Sequence, residues 1–191
     1  MEIVNLALMR GHEVTAFVRS PEKLRPATSL SIVRGDPLSR EAIAAALPGH
    51  TAVLSAIGAP PREALRPNTL LEDCARATVE AMTNSDVARL VIVSAAVLFP
   101  EKGLYFAFFR WLLKHHARDL RAMEGIVRAS TLEWTIARPP RLKQSNDASV
   151  RAMHDAFPPG RRVMSYRSVA SFMLDAVERH SHVRDVVGLA G

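Results

Sequence analysis

Three things are scarce in this sequence: cysteine, long apolar runs, and glycine in the spacing that wraps a phosphate. Cys74 is the lone cysteine among 191 residues. An intrachain disulfide is thereby excluded, and a reducing, cytoplasmic setting is the expected one. Without a second thiol or an assignable base nearby in sequence, Cys74 reads as a packed helix residue rather than a nucleophile. No stretch approaches the roughly 20 apolar residues of a membrane-spanning helix, and the N-terminus lacks the three-part pattern of a signal peptide. No membrane partner is expected. None of the nine glycines falls in a GxGxxG or GxxGxxG pattern. Repeats, low-complexity tracts and linkers are also missing, so residues 1–191 are expected to form a single domain.

What is present is a basic, half-apolar chain, with net charge +6, a pI near 10.2 and 48% hydrophobic residues. Its basic residues run from Arg10 to Arg184 with acids among them, rather than in one tract. That distribution fits a solvated face or an anionic small molecule better than nucleic acid, and no nucleic-acid partner is expected. Seven histidines offer no metal site. His115 and His116 are neighbours on a predicted helix and point apart, and His180 and His182 have no evident third ligand.

Apolar and turn-forming residues alternate in a regular way. Met1 to Arg10 has helical spacing and stops at Gly11, where a C-cap glycine belongs. Val14–Val18 is a short β-branched strand, and Ser20-Pro21 opens a turn with Lys23 in it. Leu30–Arg34 is the next strand, followed by Gly35-Asp36-Pro37. Ser39 caps a helix through Leu47. Thr51–Ile57 is almost wholly apolar, as a central parallel strand should be, and ends at Gly58. A helix over Thr69–Asn84 leads to the strand Leu90–Ser94. A long helical region spans Leu104–Ser130, its start crowded with Tyr105, Phe106, Phe108, Phe109 and Trp111. Leu132–Ala137 is a strand stopped by Arg138-Pro139-Pro140. Lys143–Arg162 reads as polar and irregular, Ser168–Arg179 as an amphipathic helix, and Val186–Ala190 as a closing strand. Strands alternating with helices predict βαβ crossovers and a parallel sheet covered on both faces.

In order and spacing, these segments resemble the atypical short-chain dehydrogenase group of NAD(P)H-binding proteins, in its biliverdin reductase B / flavin reductase and NmrA-like branches. The stretches carrying the resemblance are Gly11–Leu24, Gly35-Asp36, Ser55–Gly58, Leu90–Ala96, Leu132–Leu142 and Tyr166–Val177. The resemblance implies a Rossmann-like, doubly wound parallel sheet in three αβα layers, with NADP(H) as cofactor. By the same resemblance Arg19 and Lys23 would hold the 2′-phosphate, because a cation in this place suits it where an acid would take the free ribose hydroxyl. Asp36 would accept the adenine amino group, with Pro37 beside the ring. Ile57 and Gly58 would pass under the adenosine and pyrophosphate. Val93, Ser94 and Ala95 would lie near the nicotinamide ribose, and Pro139 to Arg141 would border nicotinamide and substrate, with Arg141 meeting an anionic group. For most of these positions, taken singly, an ordinary turn or surface role competes with the functional one.

Two departures qualify the resemblance. The family begins with a strand and a glycine-rich turn, whereas Met1 falls inside the first helix. The missing strand would be the middle one, between the Val14 and Val53 strands, leaving two unpaired edges and a gap in the core. An N-terminally truncated chain is the expectation, to be checked in the DNA upstream. If the chain is whole, weak NADPH binding and marginal stability are expected. The second departure is chemical. Tyr105 is followed four residues later by Phe109, so no Tyr-x-x-x-Lys dyad exists. Ala95 replaces a second serine, and Leu120 stands where one branch has a histidine. No catalytic residue is assigned. The expected activity is NADPH-dependent reduction of a flavin, quinone or related conjugated acceptor by a monomer or homodimer. A non-catalytic NAD(P)-sensing protein or an inactive fragment are the alternatives.

Overall fold

The computed structural model describes residues 1–58, 66–99 and 113–191. The expected alternation is present. Helix α1 (Glu2–Met9) is followed by strands β1 (Val14–Val18) and β2 (Leu30–Arg34), helix α2 (Arg40–Ala46) and strand β3 (Ala52–Ser55). Next come α3 (Leu70–Thr83), β4 (Arg89–Val93), α4 (Lys114–Ala129) and β5 (Glu133–Arg138). The chain closes with three short strands, β6 (Arg141–Lys143), β7 (Arg151–His154) and β8 (Val163–Ser165), then α5 (Tyr166–Glu178) and β9 (Asp185–Ala190).

Local chemistry sets most of these boundaries. At the end of α1, Gly11 takes φ +84°. Its N–H donates to Leu8 O and the next N–H, of His12, donates to Ala7 O, the paired bonds of a Schellman stop. Ser39 Oγ accepts the Ala42 N–H at 3.2 Å and caps α2. Asp119, buried on α4, caps α3 from outside, Oδ2 accepting from Leu71 N–H at 3.1 Å and Oδ1 from Glu72 N–H at 2.9 Å. Ser165 Oγ accepts the Ser168 N–H at 2.8 Å at the start of α5.

The sheet is mostly parallel, and it is divided. β1 pairs with β2 in one parallel ribbon, and β3-β4-β5-β9-β7 form a second sheet in that order. As expected for a sheet without its first strand, the two parts share no strand pairing: among the described residues β1 bonds only β2, and β3 only β4. Two apolar clusters cover the sheet. One joins α2, α3 and α4 to Leu90, Ile92, Trp134 and Ile136; the other joins α1 and α5 to Val91, Ala137, Val187 and Leu189. Alternate residues of one strand thus serve opposite layers, giving the three-layer arrangement.

One expectation needs correction. The Lys143–Arg162 segment is not wholly irregular, because β7 pairs antiparallel with β9, Arg151 opposite Ala190 and His154 opposite Val187. All four β7 residues are exposed, so no apolar alternation marked them as strand. The strand forms because the otherwise free edge of β9 needs backbone partners.

Candidate functional site

Parallel strands bring their carboxyl ends to one edge, and the residues singled out in the sequence lie there. Gly35 N–H donates to Val18 O at 3.0 Å, drawing the exit of β2 against the exit of β1. Arg19 and Asp36 follow those two residues and so leave the ribbon side by side. A Cβ at position 35 would lie 2.1 Å from the Phe17 ring, so a larger residue there would force the ring to move. Arg19 and Lys23 are both exposed, and neither makes an ion pair with a described residue. Lys23 ends a single 3-10 turn, Pro21–Lys23, that begins on Ser20.

Asp36 has a turn role as well. Its Oδ1 accepts the Leu38 N–H at 3.0 Å and its carbonyl accepts Ser39 N–H at 2.9 Å, leading the chain through Pro37 into α2. Beneath this pair lies Cys74, 3% exposed on α3. Burial pushes its thiol up to about 11, the Asp36 charge adds to the rise, and Arg19 opposes it. Cys74 is thus a packed, protonated thiol.

At the end of β3, Ile57 packs against the larger apolar cluster, while a Cβ at Gly58 would meet nothing within 4 Å. Among the described residues nothing crowds that position. Residues 59–65, next in the chain, lie outside the described residues, as do Tyr105 to Trp111, the aromatic cluster noted in the sequence.

The ends of β4 and β5 carry a group that the sequence reading missed. Pairing continues past Val93, with Ser94 N–H donating to Ala137 O at 2.7 Å and Ala96 N–H to Pro139 O at 2.9 Å. Ser94 Oγ donates to Glu124 Oε1 at 2.6 Å. Arg138 donates from Nε to the same oxygen at 2.9 Å and from Nη2 to Oε2 at 2.6 Å. Its guanidinium also lies 4.8 Å from the Phe99 ring centre. Ser94, Glu124 and Arg138 are 6%, 4% and 9% exposed, so this is a buried, bidentate ion pair with a hydroxyl attached. A signal for it did exist: Glu124 interrupts the apolar stripe Leu120, Met123, Val127 of α4. Leu120 itself is 2% exposed core. Pro139 is buried, Ala95 half-buried, and Arg141 stands exposed on β6, which pairs with β8 in a separate ribbon.

Among the described residues two clefts are evident. One of about 410 Å³ lies at the carboxyl edge, lined by Pro67, Asn68, Thr69, Glu72, His115 and Arg118 with Asp119. The other, about 400 Å³, is at the opposite edge among His50, Arg89, Glu133 and His180, away from the residues above. Its Arg89 is committed to structure, donating to the carbonyls of Glu133, Ala176 and Ser181 at 2.7–2.9 Å. Neither cleft is lined by a residue singled out in the sequence for the cofactor.

The fit to a nicotinamide dinucleotide is uneven along its length. At the expected adenosine end, Arg19, Lys23 and Asp36 are exposed, and none of them makes an ion pair with a described residue. For the pyrophosphate the family pattern would use a glycine-rich turn leading into α1. No glycine-rich turn among the described residues accompanies it.

The family model described as NAD(P)H-binding matches residues 1–180. Among solved structures, a Rossmann-fold NAD(P)-binding family protein from Shigella flexneri is 23% identical, with TM-score 0.75, covering 98% of this chain and 85% of that one. A wide-type short-chain dehydrogenase/reductase from Veillonella parvula, in complex with NADP, is 16% identical with TM-score 0.82, covering 100% and 88%. A candidate NADH-flavin reductase from Streptococcus pneumoniae is 22% identical with TM-score 0.76, covering 99% and 92%. At these identities the structures speak for the fold. The family match over nearly the whole length gives the chain its place: it belongs to the NAD(P)H-binding family, and its fold is that of Rossmann proteins.

Proposed function

We propose that the protein is an NADPH-dependent reductase of a flavin, quinone or related conjugated acceptor. The observation that carries this reading is Arg19 at the end of β1, exposed, without an ion pair to any described residue, and beside Asp36 through the Gly35–Val18 backbone bond. A cation there favours NADPH over NADH, as an acid would favour the reverse. Bound NADPH supplies the hydride. The chain's part is to grip the adenosine phosphate through Arg19 and Lys23, to let the dinucleotide pass close over Gly58, and to border the reacting end with Ser94, Pro139 and Arg141. Placing donor and acceptor together can suffice without a dedicated acid, solvent supplying the proton.

The test is NADPH oxidation in the presence of FMN, with a quinone in parallel. A charge-assisted bond to phosphate contributes about 1.5–3 kcal/mol. Arg19→Glu should therefore weaken NADPH binding by roughly 10- to 100-fold and leave NADH nearly unaffected. Equal losses for both cofactors would remove Arg19 from the phosphate.

One observation favours a second reading, an NAD(P) sensor without turnover. The Ser94 hydroxyl is donated to Glu124, and Ala95 offers none, so the end of β4 has no free hydroxyl to protonate an acceptor. Tight NADPH binding with no oxidation across the acceptor panel would decide for the sensor.

A further inference from the structure

Arg138 carries more N–H groups than its partners use. Nε donates to Glu124 Oε1 at 2.9 Å and Nη2 to Oε2 at 2.6 Å, which leaves Nη1 without a partner. Among the described residues, the unpartnered side-chain nitrogens sealed from solvent are Arg89 Nε and His116 Nδ1. Nη1 of Arg138 is not one of them, so it opens outward although the residue as a whole is 9% exposed.

The place of that nitrogen follows from the strands. Trp134 and Ile136 belong to the apolar cluster that α4 covers, and Arg138, two residues on, projects to the same face from the last position of β5. Ser94 follows Leu90 and Ile92 in the same alternation, just past β4. Both stand at the carboxyl ends of neighbouring interior strands, the edge of an open α/β sheet where ligands bind. Nor can the guanidinium turn away: the bidentate bond fixes its plane, and the Phe99 ring centre lies 4.8 Å from it. A buried ion pair stabilises a fold little beyond what an apolar pair of similar volume would. What this pair does provide is a donor of fixed direction where water is largely excluded, and there a hydrogen bond to a developing negative charge is far stronger than in water.

We propose, on the reductase reading above, that Arg138 is a catalytic residue whose Nη1 donates to the oxygen of a conjugated carbonyl acceptor. An acceptor that takes the hydride of NADPH gains one hydrogen and two electrons, while the C–H bond that supplied them breaks and NADP+ remains. The reduced acceptor is then a monoanion, with its charge on the conjugated oxygen, until solvent donates a proton there. Arg138, which does not deprotonate in proteins, meets that charge without giving up a proton of its own. The Ser94 hydroxyl takes no part, since its hydrogen is already donated to Glu124. Acceptors whose charge collects on a carbonyl oxygen, as in quinones and flavins, are the class this donor suits.

The test uses the full chain and pairs turnover with a binding readout. Glu124→Leu with Arg138→Met removes the donor together with its counter-charge and keeps the space filled. It should lower kcat for a quinone by roughly 100-fold, as loss of one oxyanion donor does, with NADPH affinity and far-UV circular dichroism unchanged. An unchanged kcat in the folded variant would overturn the proposal. The second measurement needs no turnover. Para-nitrophenol and para-nitroanisole differ in having or lacking an ionisable oxygen, and the phenolate is coloured. The wild-type protein should bind the phenolate at least about tenfold more tightly than the ether, and the bound phenol should ionise at lower pH than the free one, as a neighbouring cation requires. Arg138→Lys, which keeps a counter-charge for Glu124 but lacks the projecting Nη1, should lose both effects, as should the double variant. Equal affinities, no binding of either compound, or effects that survive in both variants would overturn the proposal. No NADPH oxidation with the phenolate preference intact would sink the reductase reading alone and leave Arg138 as an oxyanion-binding group.

Discussion

Cys74, Glu124 and Arg138 show how burial sets what single side chains can do. With its thiol pushed up to about 11 and its surface covered, Cys74 is protonated and shielded at neutral pH. A maleimide reagent should label it only after denaturation; rapid labelling of the folded protein would mean that α3 opens at the site. Glu124 and Arg138 are different, because each charge is tolerable only beside the other. Glu124→Gln leaves a buried guanidinium without its counter-charge and should cost about 3–5 kcal/mol in urea unfolding. The double change Glu124→Leu with Arg138→Met should recover much of that loss, since an apolar pair needs no compensation. Strict additivity of the two single losses would show that the pair is not coupled.

Two elements depend on partners remote in sequence. The first turn of α3 donates to the Asp119 carboxylate of α4. Asp119→Ala should therefore lower stability by about 1–2 kcal/mol, as loss of a helix cap does. At the other end of the chain, α1 is fastened to α5: Arg10 bonds Asp175 at 2.7 Å and Glu178 at 2.9 Å, and His12 bonds Glu178 at 2.7 Å. The His12 hydrogen bond first, and Arg10 after it, hold the Glu178 carboxyl below its ordinary range. For a carboxylate with a depressed folded pKa, the stabilisation is present above the unfolded value and is lost as pH falls through the folded one. The melting-point gap between wild type and Glu178→Gln should accordingly be open at neutral pH and close in acid. A gap independent of pH would leave the contact without an electrostatic part.

At the scale of the whole molecule, the divided sheet predicts uneven stability. Amides of β4 and β5 lie between bonded neighbours in a fully buried layer, whereas β1 and β2 form an isolated two-stranded ribbon. Such ribbons are marginal without further partners. Native-state exchange should show Val14–Val18 opening at clearly lower free energy than Leu90–Val93. Uniform protection across both sheets would mean that helix packing alone couples them.

Much of this was legible in the residues because the signals are local. Gly11 stops α1, Ser39 starts α2, the apolar runs at 30–34 and 90–93 are strands, and the order of elements points to a mostly parallel sheet. What the sequence concealed are pairings set by distance in space. Glu124 meets Arg138 and Ser94 only when α4 docks on the ends of β4 and β5. Asp119 becomes a cap only beside the start of α3. β7, polar and exposed, is a strand solely because β9 offers it an edge. Local patterns are written in neighbouring residues, and these contacts are not: sequence by itself determined the fold class and which residues stand at the carboxyl ends of the strands, while tertiary packing decided which buried charges are paired there and that a polar segment joins the edge of β9.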